Sequence, residues 1–293
     1  MAIELIGKDK NLIKEAQDAD KLCASVGDNF TSISPFLTTF ACSHVVPPSH
    51  VKTLCLSIGP SDVGLDFRYI SRTSKEVCNE LGKCILALCK VIPAGLIVFF
   101  PSYSYEAYVV QQWKASGIYE RIDRKKKVFR EPCSASASVS TLVSYSSNAY
   151  TKNGAILLSV IGGKMSEGIN FANDMARGVI VVGIPYADIT DPELKEKMNF
   201  MDKEYKKNAY GITGQAYYQN LCMRAVNQSI GRAIRHAKDY AAIILADMRY
   251  ASDSKIWCRL PQWLRNGEKI PPQVSFSESV ASLDSFFSNH QHI

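Results

Sequence analysis

The sequence predicts an open α/β layer fold, a parallel sheet flanked by helices. Three observations predict it. Four runs, LIVFF (residues 96–100), AILLSVI (155–161), VIVVGI (179–184) and AAIILAD (241–247), are apolar at nearly every position. A strand covered on one face alternates apolar and polar residues, so an unbroken run marks a strand buried on both faces. Between these runs lie segments whose apolar residues recur at helical spacing, and strands alternating with helices give parallel neighbours joined by crossovers.

Taken in order, residues 1–34 form a charged extension of helical pattern (NLIKEAQDADKLCASV), and 35–290 read as one domain. VKTLCLSI (51–58), bounded by Pro48 and by Gly59-Pro60, is a strand. Ser74 stands at the N-cap of an amphipathic helix with Val77, Leu81, Cys84, Ile85 and Leu88 on one stripe. After LIVFF, a turn at Pro101-Ser102 leads into a helix over 105–114. Val128-Phe129 is a short strand. The serine-rich stretch 134–147 carries Val139, Leu142, Val143 and Tyr145, enough apolar content for a surface helix. Asp191-Pro192 opens a charged helix to Lys207, a long helix covers 213–236, and two short helices lie around 255–265 and 277–287.

Composition sets the outer bounds. Of 293 residues, 46% are apolar and 21% charged, values of a folded protein, and the +6 charge permits a nucleic-acid partner without demanding one. No stretch reaches the ~18 apolar residues of a membrane span, and MAIELIGKDKNL lacks the apolar core of a secretion signal. The nine cysteines are odd in number, and none pairs at C-x2-C spacing. Cys84 and Cys89 share a stripe with Leu81 and Leu88. We read the thiols as reduced core residues and expect no metal site.

In such folds ligands gather beyond the carboxyl ends of the strands, here the turns after Phe100, Ile161, Ile184 and Asp247 and whatever a helix brings to them. After Ile161 the chain reads GGKMSEGINF (162–171). Its amides suit a phosphate or simply a tight turn. An ATP phosphate loop is excluded, since G-x-x-x-x-G-K-[ST] would need glycine and Ser/Thr where Leu158 and Met165 stand. In QSIGRAIRH (228–236), Arg232 and Arg235 are three apart and share a helical face, either solvated or aimed at a phosphoryl group. In FFPSYSYE (99–106), Tyr103 and Tyr105 either stack on bases or finish the core. The basic run RIDRKKKVFR (121–130) tracks a phosphate backbone or solubilises the surface, and the second reading is preferred.

The order of these blocks resembles motifs IV, V and VI of superfamily-two helicases, in their XPD-like iron–sulfur branch. FACSHVVPP (40–48), VIPAGLIVFFPSY (91–103), GKMSEGINF (163–171), NLCMRAVNQSIGRAIRH (220–236), DMRYA (247–251) and LPQWLR (260–265) resemble the Chl-type sister-chromatid-cohesion helicases in particular, over roughly residues 35–290. The resemblance implies a RecA-like second helicase domain. It makes Arg232 and Arg235 arginine fingers on the γ-phosphate of ATP, with Gln228 coupling them to the site. Glu167 and Asn170 face the nucleotide cleft, and Arg249 braces it. Ser102 and Tyr103, with Gly162, Gly163, Lys164 and Ser166, lie along the nucleic acid.

The phosphate loop, the D-E-A-H box that holds Mg2+ and the cysteine-rich insert of a 4Fe–4S cluster belong to the N-terminal half of such helicases. The expectation is therefore a motor domain that shares ATP and Mg2+ with that half, carries no cluster itself and is inactive alone. The resemblance further implies single-stranded or forked DNA, 5′-to-3′ movement, replication and cohesion partners, and a nuclear location. Two other readings stand beside it. One is a helicase-derived fragment that binds DNA or protein without catalysis. The other is an unrelated α/β enzyme, although no G-x-G-x-x-G follows an early strand and no nucleophile–base pair stands out.

Overall fold

The computed structural model describes residues 46–165, 169, 171–208, 212–266, 268–272 and 274–290. The described residues divide into two compact units, the smaller drawn from 186–224 and the larger from 46–185 with 225–290. The expected N-terminal extension lies outside the described residues.

The larger unit is built on a six-stranded sheet, parallel throughout, in the order β1-β6-β5-β2-β4-β3. Its elements in chain order are β1 (Val51–Leu56), α1 (Lys75–Val91), β2 (Gly95–Phe100), α2 (Tyr103–Ala115), α3 (Ile118–Lys125), β3 (Lys127–Arg130), α4 (Ala135–Ala149), β4 (Ala155–Val160) and β5 (Gly178–Val182). After an excursion through α5 (Pro192–Asn208) and α6 (Gly214–Ile230) come β6 (Ala241–Ala246), α7 (Met248–Ser252), α8 (Ser254–Cys258), α9 (Gln262–Arg265) and α10 (Phe276–His290). All six expected strands are present. β2, β4, β5 and β6 are buried at every position, as their unbroken apolar runs require.

Side chains of successive strand residues point to opposite faces. Leu96, Val98, Phe100, Ile156, Leu158, Ile180 and Ile244 therefore join one core with Val77, Leu81, Ile85 and Leu88 of α1. Ile97, Phe99, Leu157, Val179, Val181 and Leu245 are equally enclosed on the opposite face. There Tyr145 of the serine-rich α4 is fully buried, edge-on to Phe129 and Phe171. Full burial of one such large side chain is worth about 1.5–3 kcal/mol, which is how a helix as rich in serine as α4 still docks.

Several sequence expectations are corrected. Ser74 is at the N-cap of α1, yet its hydroxyl makes no capping bond; its carbonyl accepts the Cys78 N–H and its own N–H donates to the Ser71 carbonyl. The helix expected over 255–265 is two, because Pro261 interrupts it, and α3 and α7 were not anticipated. Cys55, Cys78, Cys84, Cys89 and Cys222 are buried as expected, but Cys133 is exposed, on the loop between β3 and α4. Burial pushes the Cys55 and Cys89 thiols up to about 12 and Cys78 to about 11, so these sulfurs stay protonated and unreactive at neutral pH.

The largest correction concerns the long helix. It stops at Ile230 rather than continuing to His236. Gly231 is a poor helix residue, and beyond it the Arg232 and Ala233 amides bond three residues back, to Ser229 and Ile230. The Asp239 carboxylate then takes the Arg235 N–H at 3.3 Å, which a continuing helix would have committed to residue 231. Arg232 and Arg235 thus stand on a loop.

In the smaller unit, Asp191 caps α5 by accepting the Leu194 N–H at 2.8 Å. Asp202 of α5 accepts the Gly214 N–H at the start of α6, also at 2.8 Å. Tyr218 donates to the Ala187 carbonyl and packs against Tyr186, ring centroids 5.2 Å apart.

Candidate functional site

Three clusters in the larger unit hold the residues singled out from the sequence. The first is at the carboxyl edge of β2, β3 and β4. Ser102 ends β2's turn and caps α2, its Oγ accepting the Tyr105 N–H at 3.2 Å. Tyr103 donates its hydroxyl to Glu131 Oε1 at 2.6 Å. Glu131, only 7% exposed, also accepts from Ser159 Oγ, the Val160 N–H and the Met165 N–H. One carboxylate therefore joins the ends of β2, β3 and β4 to the turn at 162–165. Burial, and then the Glu131 carboxylate, push the Tyr103 phenol up to about 12, so it stays a neutral donor.

Gly162 sits at φ +71° in the left-handed region and is exposed. At Gly163 a Cβ would collide with Glu131 Oε1 and the Tyr103 hydroxyl, so only glycine allows this approach. The Gly163 amide bonds to Val160 O, the Lys164 amide to Tyr103 Oη and the Met165 amide to Glu131. These three N–H groups are committed, two of them to side chains outside the turn, and are not free to cradle a phosphate. Lys164 Nζ donates to the Cys133 carbonyl at 2.7 Å, with its side chain otherwise at the surface. Ser166, Glu167 and Asn170 lie outside the described residues.

Glu131 was not among the sequence candidates. It follows a short strand and precedes Pro132, and no spacing within the sequence links it to Tyr103 or Met165. Glu131→Gln replaces one acceptor oxygen with a donor, setting an amide against donors that now converge on it. We expect a loss of about 1–3 kcal/mol, measured by denaturant unfolding, together with a downward move of the Tyr103 titration.

The second cluster is the arginine loop. Arg232 Nη1 donates to the Ile169 carbonyl at 3.2 Å, while its buried Nε has no partner. Arg235 is exposed, and so is Gln228 on α6. Asp239, 1% exposed, holds the loop: besides the Arg235 amide it accepts from Arg177 Nη1 at 2.9 Å and from the Tyr240 and Asn173 amides. His236 Nε2 is 2.8 Å from Asn173 Oδ1. Arg177 also pairs with Asp174 and lies 3.9 Å from the centroid of the Tyr240 ring. Arg177 directly precedes β5, and Asp239 precedes β6 by two residues. The loop is therefore anchored at the amino ends of these strands, not at the carboxyl ends to which the sequence reading expected the long helix to bring it. Crossovers dictate this: a helix that follows a parallel strand returns the chain to the opposite edge.

The third cluster returns to the carboxyl edge. Asp247, fully buried after β6, accepts the Arg249 N–H and clasps its guanidinium through Nε at 2.9 Å and Nη2 at 2.7 Å. Tyr250 donates to the Gly183 carbonyl beside it. Such a two-point fork fixes Arg249 in one orientation.

Comparison with known proteins follows from this arrangement. The family model described as "Helicase C-terminal domain" matches residues 85–267. ATP-dependent DNA helicase DDX11 of Danio rerio is 42% identical over 255 residues, 85% of this chain and 28% of its own length. ATP-dependent DNA helicase chl1 of Schizosaccharomyces pombe is 35% identical over 291 residues, 94% of this chain and 34% of its own. A solved structure named XPD_Helicase aligns with 71% of this chain and 33% of its own, at 22% identity and a TM-score of 0.49. The chain thus spans about a third or less of the curated relatives it matches. With more than half of its residues matched by that family model, and the six-stranded parallel sheet in place, the chain belongs to the helicase C-terminal domain family.

Proposed function

We propose that this chain is the second motor lobe of an ATP-dependent DNA helicase and works with an N-terminal half that holds the nucleotide. The observation that carries the reading is the arginine loop. Arg232 and Arg235 project from a segment anchored by Asp239, and among the described residues neither guanidinium is paired with a carboxylate. A guanidinium held in place without an acid of its own suits the charge that spreads over a phosphoryl group in its transition state.

In this reading Arg232 and Arg235 reach the γ-phosphate of ATP, and Gln228 couples them to the cleft. Glu167 and Asn170 complete its wall by likeness to motif V. The bracing role expected of Arg249 is corrected: clasped by Asp247 after the carboxyl end of β6, Arg249 is at the other end of the strand from the arginine loop. Ser102, Tyr103, Gly162, Gly163, Lys164 and Ser166 follow one DNA strand. Because Asp239 and Arg177 tie the loop to β5 and β6, a shift of the arginines on hydrolysis carries the sheet, and with it the turn at 162–165. The described residues offer no cradle for Mg2+: no group of three or more His, Cys, Asp or Glu converges, and Asp174 and Asp239 are taken by Arg177. The resemblance assigns that ion to the N-terminal half, and no step through it is proposed for this chain.

The relatives are named as DNA helicases, and single-stranded or forked DNA is the proposed substrate. Movement from 5′ to 3′, replication and cohesion partners, and a nuclear site of action are carried over from the Chl-type resemblance. The test is ATP hydrolysis in the presence of single-stranded DNA, by the chain alone and mixed with an N-terminal half bearing the phosphate loop. Buffer-level turnover alone and DNA-stimulated turnover in the mixture are expected. Appreciable hydrolysis by the isolated chain would defeat the reading.

A further inference from the structure

We propose that Tyr69 and Ile70 form a stacking platform for the unpaired bases of single-stranded nucleic acid. The platform deepens the motor-lobe reading and rests on it. Its residues are on the turn that follows β1 and leads into α1.

Tyr69 is 81% exposed and Ile70 92%, two large apolar side chains side by side in solvent. Single exposed apolar residues are ordinary, but an adjacent pair on a stiff turn marks a contact surface. The turn is stiff because Asp66 organises it. Its carboxylate accepts from the Arg68 N–H at 3.1 Å, from Arg68 Nε and Nη2, and from Ser71 Oγ at 2.9 Å. The Arg68 side chain holds the Asp66 carboxyl well below the usual carboxylate range, so this clasp persists at neutral and mildly acid pH.

The ring of Tyr69 is backed from within. The Arg72 guanidinium is 5.0 Å from the Tyr69 centroid and 5.4 Å from that of Tyr105, a cation between two aromatic rings. Tyr105, 4% exposed, donates its hydroxyl to the Arg72 carbonyl at 2.8 Å, and Tyr108 donates to the Thr73 carbonyl at 2.6 Å. The platform is thereby fixed to α2, the helix whose first turn carries Ser102 and Tyr103. Of the aromatics considered for stacking from the sequence, Tyr105 is enclosed and the Tyr103 hydroxyl is bound to Glu131. Tyr69 is far more exposed than the half-buried Tyr103 and Tyr108 beside it.

The chemistry of the surroundings selects the ligand. An aromatic face accepts any base, provided the base is unpaired and free of its own neighbours. The Arg68 charge is matched by Asp66, whereas Arg72 beside the ring has no carboxylate partner among the described residues, and its positive charge complements a phosphate backbone. Because the turn is ordered beforehand, little freedom is lost on binding. Ile70 extends the contact to the next base without hydrogen bonds, so no sequence preference is built in.

The test uses the full 293-residue chain and fluorescence anisotropy with a labelled oligo-dT strand and an abasic strand of equal length. Tyr69→Ala is expected to weaken oligo-dT binding roughly tenfold. Tyr69→Phe retains affinity, and Tyr69→Trp adds a fluorescence signal quenched by oligo-dT. On the abasic strand, wild type and Tyr69→Ala bind alike. Equal oligo-dT affinity for wild type and Tyr69→Ala overturns the platform and leaves the motor-lobe reading standing. Absence of any single-strand binding by the wild type overturns both. If Tyr69→Ala instead weakens only association with the N-terminal half, the pair is a protein-docking surface and the proposal falls.

Discussion

Arg235→Ala, in the motor reconstituted from this chain and an N-terminal half, is expected to lower kcat for ATP hydrolysis by about 10³-fold. That is the scale on which an arginine finger stabilises phosphoryl transfer. Arg235 is exposed and its side chain supports no packing, so the melting temperature should barely change. The loss should be in kcat far more than in ATP affinity, because the charge it meets develops in the transition state. Arg235→Lys should rescue little, since an ammonium is a point charge and the guanidinium is a planar fork. Arg232→Ala should lower kcat comparably while also removing the bond to the Ile169 carbonyl. Steady-state kinetics at saturating DNA decide the matter. Unchanged kcat in both variants would remove the arginines from the reaction.

The second large effect is expected at Asp239, which touches no ligand in this reading. Asp239→Ala leaves the Arg177 guanidinium, 7% exposed, with only the half-exposed Asp174 as acid partner, and strips acceptors from the Arg235, Asn173 and Tyr240 amides. Removing one member of a buried ion pair costs about 3–5 kcal/mol. For a domain of this size that is a fall of roughly 10 °C in Tm. Asp239→Asn, which keeps one acceptor oxygen, should fall less. Circular-dichroism melts of the isolated chain measure both. A Tm for Asp239→Ala within a degree of wild type would show that the loop is held by something else. The two predictions separate cleanly: Arg235 affects the reaction without the fold, and Asp239 affects the fold first.

The strands were legible because burial on both faces leaves an unmistakable local trace. LIVFF, AILLSVI, VIVVGI and AAIILAD need no distant partner to be recognised. The serine-rich helix was legible for a related reason, since Tyr145 and Leu142 interrupt its polarity at helical spacing. The end of α6 was not. A helical pattern runs on through Ala233 and Ile234; Gly231 weakens it locally, and the loop that replaces it is held by the Asp239 carboxylate, which Arg177 in turn holds from 62 residues away. Glu131 was hidden likewise, because its four donors come from three separate segments. The edge on which Arg232 and Arg235 stand could have been deduced. Residues lying between a crossover helix and its next parallel strand must be at the amino ends of the sheet. That topological rule was available in the order of elements and outweighs the habit of seeking every ligand at the carboxyl ends.

The pairing of β1 with β6 has a consequence for how the chain reaches its native state. Val51 is in register with Ala241, 190 positions later, while β2, β4 and β3 neighbour one another within a far shorter stretch. During synthesis the central strands can associate early, but β1 has nowhere to dock until the ribosome has released Ala246. Until then its apolar residues Leu54 and Leu56 stay open to chaperones or to misassociation, and loop closure over such a span makes the final step slow. A premature stop before Ala241 would strand β1 and the free edge of β5 together, and the product should be cleared or precipitate rather than persist as a smaller folded lobe.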